Sequence, residues 1–173
     1  MILETFGVRP STVEEIEQQS QSVLLDAYGR MAEVEPPIDL NRVTKALRLQ
    51  VKAGTFSDRD LAGYYDKAAR TIYVSRDDPY YRQAFTVAHE IGHFVRHEQL
   101  PHERFLRTDS VALATDREIE QEANWFAASL LMPRLLLDRY WPLHRDVKSV
   151  AAVFGVSTLA MQYRLQTLGF IDE

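Results

Sequence analysis

The sequence predicts an α+β domain in which helices flank a short block of strands. Three observations predict it. The β-prone runs "LQVKAGTF", "AGYYD" and "TIYVS" all fall within residues 49–75. Apolar residues recur at helical spacing before that block and again after it. Strands and helices are thus segregated along the chain, which is the α+β pattern.

The elements follow in order. "STVEEIEQQSQSVLLDAYGRM" opens with Ser11 and Glu14 in capping-box register. Val13, Ile16, Ser20, Val23, Leu24, Ala27 and Met31 then keep to one helical face, so residues 11–31 read as an amphipathic helix. Pro36 and Pro37 end it, and Asp39 caps a short helix, "LNRVTKAL". The three strands come next, with "KAAR" as a hairpin loop between the second and third. Asp78 is placed to cap a helix whose first position is Pro79. "QLPHERFLRTDSVALA" has weak periodicity and reads as a loop. Thr115 and Glu118 form a second capping-box pair before "EIEQEANWFAASLLM", which Pro133 closes. The tail "DVKSVAAVFGVSTLAMQYRLQTLGFI", residues 146–171, reads as two short helices around Gly155, with Ser157 capping the second.

Bulk properties exclude several function classes. A chain of 173 residues is one domain, with room for the C-terminal helical pair as a small appendage. Its 46% hydrophobic content supports a core, and its formal net charge of −5 supplies no global basic field for nucleic acid. With no cysteine, thiolate metal sites, disulfides and cysteine nucleophiles are excluded. Any metal must be held by His, Asp or Glu. No signal peptide and no membrane span are expected, so the expected location is the cytoplasm.

The chemistry concentrates in "FTVAHEIGHFVRH". His89 and His93 stand four apart, so on a helix both imidazoles can face one ion. Glu90 lies about 100° around the helix, placed for a water on the metal rather than for the metal itself. This makes H-E-x-x-H a catalytic pattern, with Glu90 as general base. A surface histidine pair is the competing account. Ala84, Phe85, Val87, Ala88, Ile91, Phe94 and Val95 make the helix apolar nearly all round, hence buried, and buried polar groups need partners. His97 lies about 12 Å along the axis from His89. It reads as a polar residue favourable to the helix C-terminus rather than as a ligand of the same ion.

A catalytic zinc needs a third protein ligand. On a helical wheel of "TDREIEQEANWFAASLLMP", Glu118 and Glu122 fall outside the buried arc and Glu120 falls within it. A carboxylate there wants a cation, which makes Glu120 the third candidate. A salt bridge to Arg or Lys is the alternative. Asn124, one turn on, is positioned to hydrogen-bond a ligand. One zinc ion is expected. Two imidazoles and a carboxylate do not sharply exclude Mn2+.

"FTVAHEIGHF", "EANWFAASLLMP" and "FGVS…RLQTLGF" together resemble the ImmA/IrrE family of zinc metallopeptidases, over roughly residues 39–171. The resemblance implies a zincin-like core, with a small twisted sheet packed on the H-E-x-x-H helix and a gluzincin-like site. It implies His89, His93 and Glu120 as ligands and Glu90 as base. It also implies a protein substrate, a helix-turn-helix repressor encoded nearby on a phage, mobile element or stress locus. Residues 11–31 lie outside every motif that carries the resemblance.

Two other functions compete. A module that sequesters a repressor without cutting it would not need Glu90. DNA binding through the C-terminal helices would rest on Gln162, Tyr163 and Arg164 alone. That is too few cations for phosphate contacts, which argues against direct nucleic-acid binding. Tyr73, His102, His144, Tyr163 and Arg164 are all candidates to stabilise an oxyanion. Finally, "TIYVS" alternates, which suggests an exposed edge strand. Its residues Ile72, Tyr73 and Val74 would then bind an extended substrate segment.

Overall fold

The computed structural model describes residues 10–58, 61–98 and 114–172. Helix α1 spans Pro10–Tyr28, followed by a 3-10 turn at Met31–Glu33 and helix α2 at Leu40–Ala46. Strands β1 (Gln50–Gly54), β2 (Gly63–Asp66) and β3 (Thr71–Ser75) come next. Helices α3 (Tyr80–His97), α4 (Ala114–Leu131), α5 (Arg134–His144), α6 (Val147–Phe154) and α7 (Thr158–Thr167) complete the described chain. This is a mixed α+β fold with one small sheet. No helix among the described residues is long and apolar enough to cross a membrane.

The sheet order is β1-β3-β2. β2 and β3 form an antiparallel hairpin, with Tyr64 opposite Tyr73 and Asp66 opposite Thr71. β1 runs parallel to β3, with Val51 opposite Ile72. β3 is therefore the central strand, hydrogen-bonded on both sides. That overturns the exposed-edge reading of "TIYVS". Its backbone donors and acceptors are already used, so Ile72, Tyr73 and Val74 cannot take up a substrate strand by edge pairing. The alternation instead separates two faces of a central strand. Ile72 and Val74 are buried in the core, while Tyr73 stacks on Tyr64, ring centroids 4.9 Å apart.

α3 packs on β2 and β3 through this inner face and on α4 through its opposite side. Thr86 to His93 are buried without interruption, as an apolar-all-round helix requires. α1 lies across α4, and Ile16 and Leu24 are fully buried there. α6 and α7 share the same core through Val150, Phe154, Met161 and Leu165. Burying side chains of this size stabilises by about 1.5–3 kcal/mol each.

Local signals explain most boundaries. Asp39 accepts from the amides of Asn41 and Arg42 and so starts α2. Gly155 ends α6 at φ 66°, a left-handed conformation that costs glycine nothing, and Ser157 caps α7 through the Ala160 amide. The start of α3 differs by one position. Pro79 occupies the cap, while Asp78 accepts from the Gln83 side chain through its carbonyl. Helix α5 has no counterpart in the sequence reading. Pro133 both ends α4 and caps α5, and Pro142 lies inside α5 in its last turn, where it forgoes one amide hydrogen bond but the helix ends two residues later. The side chains of Ser11 and Thr115, and the loop containing His102, lie outside the described residues.

Candidate metal centre

α3 and α4 cross at Gly92. A Cβ at Gly92 would lie 3.1 Å from the Cβ of Phe126 and 3.2 Å from the Cα and carbonyl oxygen of Ala123. Glycine permits this close crossing, where a side chain would force its neighbours to give by a few tenths of an ångström. His89 and His93 flank Gly92 on α3, and Glu120 stands one turn before Ala123 on α4. The crossing thus brings the three together. His89 Nε2 lies 3.3 Å from Glu120 Oε2, and His93 Nε2 lies 3.3 Å from Glu120 Oε1. The two Nε2 atoms are 2.9 Å apart.

These spacings suit a metal ion. Tetrahedral zinc with bonds near 2.0–2.2 Å holds neighbouring donor atoms about 3.3–3.5 Å apart. Each imidazole is at this separation from one of the two Glu120 oxygens, and the imidazoles themselves need to part by only a few tenths of an ångström. The three side chains could hold one divalent ion, each offering a single donor atom. Glu120 faces the two imidazoles, while Oε2 of Glu122 takes Arg96 Nη2 at 2.7 Å.

Protonation also suits a cation. Burial pushes the His93 imidazole down to about 4, so it is neutral near pH 7. Burial opposes ionisation of Glu120, yet the two imidazoles beside it hold its carboxyl well below the usual carboxylate range. Neutral imidazoles and an ionised carboxylate are the forms that bind metal. Asn124 Oδ1 lies 2.9 Å from His89 Nδ1, where it can accept a hydrogen bond from Nδ1 and so leave Nε2 for an ion.

Glu90 is buried and lines the same cleft, together with Ala62, Gly63, Thr86 and the histidine pair. The sheet edge bordering this cleft belongs to β2, since Ala62 and Gly63 form its rim. Arg82, not singled out in the sequence, lines this cleft and also a larger apolar cleft alongside it. Phe85, Trp125, Met132, Leu159 and Tyr163 line that second cleft.

Several sequence expectations change here. His97 lies in the last turn of α3, as a polar residue favourable to the helix C-terminus would, but it is buried and paired. It is 5% exposed, with Nδ1 3.2 Å from His93 Nδ1 and Nε2 3.1 Å from Glu122 Oε2. The signal was present in "VRH" and Glu122, but the pairing joins two helices and no single wheel displays it. Arg164 cannot stabilise an oxyanion or grip a phosphate. It is buried, donates to both Glu17 oxygens at 2.6 and 2.9 Å, and donates again to the Met132 carbonyl. Tyr73 lies on the sheet face opposite the inward-facing Ile72 and Val74, stacked on Tyr64, and His144 is exposed at the end of α5. Of the oxyanion candidates, Tyr163 and Arg164 both line the cleft adjoining the centre, and Arg164 is committed there to Glu17 and the Met132 carbonyl.

A peptidase family profile described as the IrrE N-terminal-like domain matches residues 44–166. The chain belongs to the ImmA/IrrE family of metallopeptidases. Metallopeptidase ImmA of Bacillus subtilis (strain 168) is 25% identical over 107 residues, which cover 61% of this chain and 62% of that protein. The chain thus aligns with less than two thirds of that relative's length. A Mycobacterium tuberculosis transcriptional regulator shares the fold, with a TM-score of 0.65 at 17% identity, over 95% of this chain and 49% of that one. Helix α1 precedes the segment that the ImmA/IrrE family profile matches.

Proposed function

We propose that this protein is a zinc-dependent endopeptidase in which His89, His93 and Glu120 hold the ion and Glu90 is the general base. The observation that carries the reading is the convergence of three donor atoms at metal-ligand spacing in the cleft that Glu90 lines. When bound, the ion supplies Lewis acidity to the scissile carbonyl and lowers the pKa of water at the site. Glu90 takes a proton from the attacking water and returns it to the leaving amine. Mn2+ is a second ion that this donor set accepts.

The substrate is a protein segment in extended form. It adds to the outer edge of β2, the strand whose Ala62–Gly63 end borders the cleft. The adjoining apolar cleft receives its apolar side chains, with Asn124 and Phe85 between that cleft and the His–His–Glu cluster. A helix cannot add to a sheet edge, so the cleaved segment is flexible or locally unfolded. Family membership supports a helix-turn-helix repressor encoded nearby as the substrate, and cytoplasm as the place of action.

Incubating the protein with the repressor encoded beside its gene tests the reading. Cleavage should appear with zinc, stop with a chelator, and be absent in Glu90→Gln. A repressor left intact by the zinc-loaded protein would rule out this substrate. Cleavage that survives chelation would rule out the mechanism.

A further inference from the structure

A row of polar side chains runs from α1 to the candidate metal centre. Gln19 Oε1 accepts from Arg96 Nη1. Arg96 donates to Glu122 Oε2 from Nε at 2.9 Å and from Nη2 at 2.7 Å. The same oxygen lies 3.1 Å from His97 Nε2. His97 Nδ1 lies 3.2 Å from His93 Nδ1, and His93 Nε2 faces Glu120. His93 and His97 are 3% and 5% exposed.

Two ring nitrogens facing each other must divide the roles, one donating and one accepting. The Glu122 carboxylate, clasped by Arg96, accepts, so a neutral His97 carries its proton on Nε2 and offers Nδ1 as an acceptor. With an ion at the site, His93 would then carry its proton on Nδ1 and give its Nε2 lone pair to the ion; without one, Glu120 and His89 compete for a proton on Nε2. Asn124 Oδ1 stands in the corresponding place beside His89 Nδ1.

We propose that His97 is a positioning residue that fixes the tautomer and ring orientation in which His93 offers Nε2 to a metal ion. The role rests on the metal-site reading above. It gives Glu122, Arg96 and Gln19 a place in the same support and extends that support to α1. Outer partners of this kind typically govern metal affinity about 10–100-fold.

Three measurements test it together. The first is zinc affinity by chelator competition for wild type, His97→Leu and His97→Gln. The second is the melting temperature of each metal-free form. The third is the imidazole tautomer of His97 in metal-free wild type, by long-range 1H–15N correlation. Glutamine can accept at Oε1 and donate from Nε2, whereas leucine can do neither. We expect zinc to bind about 10–100-fold more weakly to His97→Leu. Most of that affinity should return in His97→Gln, and His97 in wild type should carry its proton on Nε2.

Equal loss in the leucine and glutamine variants would overturn the positioning role, as would leucine affinity equal to wild type. A wild-type His97 protonated on Nδ1 instead of Nε2 would do the same. Each leaves the metal site standing. Absence of zinc binding by wild type would instead overturn the metal site, and the positioning role with it. Should His97→Leu fail to fold, the glutamine affinity and the wild-type tautomer decide.

Discussion

Gly92 of α3 lies against the backbone of Ala123 of α4 with no room for a methyl group between them. Gly92→Ala sets two effects against each other. Alanine gains about 1 kcal/mol of helix propensity. Overpacking against backbone costs about 1–3 kcal/mol. The obstructing atoms at Ala123 belong to the main chain and yield little, so overpacking should win. We expect a lower melting temperature and weaker zinc binding, because Glu120 moves with α4. A more stable variant with unchanged affinity would show that the crossing is not what spaces the donors.

Glu120→Gln keeps shape and removes the charge from the donor set. Zinc content after purification should fall well below one ion per chain, as read by elemental analysis. Full occupancy in this variant would remove Glu120 from the site.

Glu90→Gln should leave folding and zinc content intact. Peptide cleavage should fall by about 10²–10⁴, the contribution of a general base. Cleavage at the wild-type rate would exclude Glu90 from that role.

The metal-free protein should lose stability on mild acidification. His93 sits near 6.5 in the unfolded chain and about 4 in the folded one. Between those values the unfolded chain binds a proton that the folded chain refuses. Stability is therefore fully present above pH 6.5 and declines as pH falls toward 4. Burial depresses His97 as well, in the same direction. The loss across the window should be on the order of 3 kcal/mol. Urea unfolding in chelator at pH 7.5, 6 and 5 measures it. A flat profile would mean that the histidine cluster is open to water.

What the sequence disclosed followed the range of the interactions involved. His89 and His93 were legible because one helix fixes their spacing. Glu120 and Asn124 were legible because a single helical wheel separates them from Glu118 and Glu122. The caps at Asp39 and Ser157 span three residues and were equally plain. The place of β3 was not legible. Its parallel pairing with β1 depends on where two strands twenty residues apart meet, and alternation looks alike on central and edge strands. Helix α5 was concealed because Pro133 and Pro142 read as breaks. Pro133 occupies the N-cap, where a missing amide proton costs little, and Pro142 lies within the last turn, close to where α5 ends. The pairing of Glu122 with Arg96 and His97 joins two helices across the core, so no periodicity announces it.

Glu17 has a practical consequence for anyone trimming this chain. The family match starts at residue 44, which invites a minimal fragment beginning there. Such a fragment would lose the carboxylate that accepts from Arg164, Trp125 and Ser129. The Arg164 side chain is 1% exposed in the intact protein, and the fragment would remove both its carboxylate partner and the helix that covers it. Arg96 would lose Gln19 at the same stroke. The boundary that homology draws and the boundary of the cooperative folding unit are therefore different places in this protein, and the second lies at least as far back as α1.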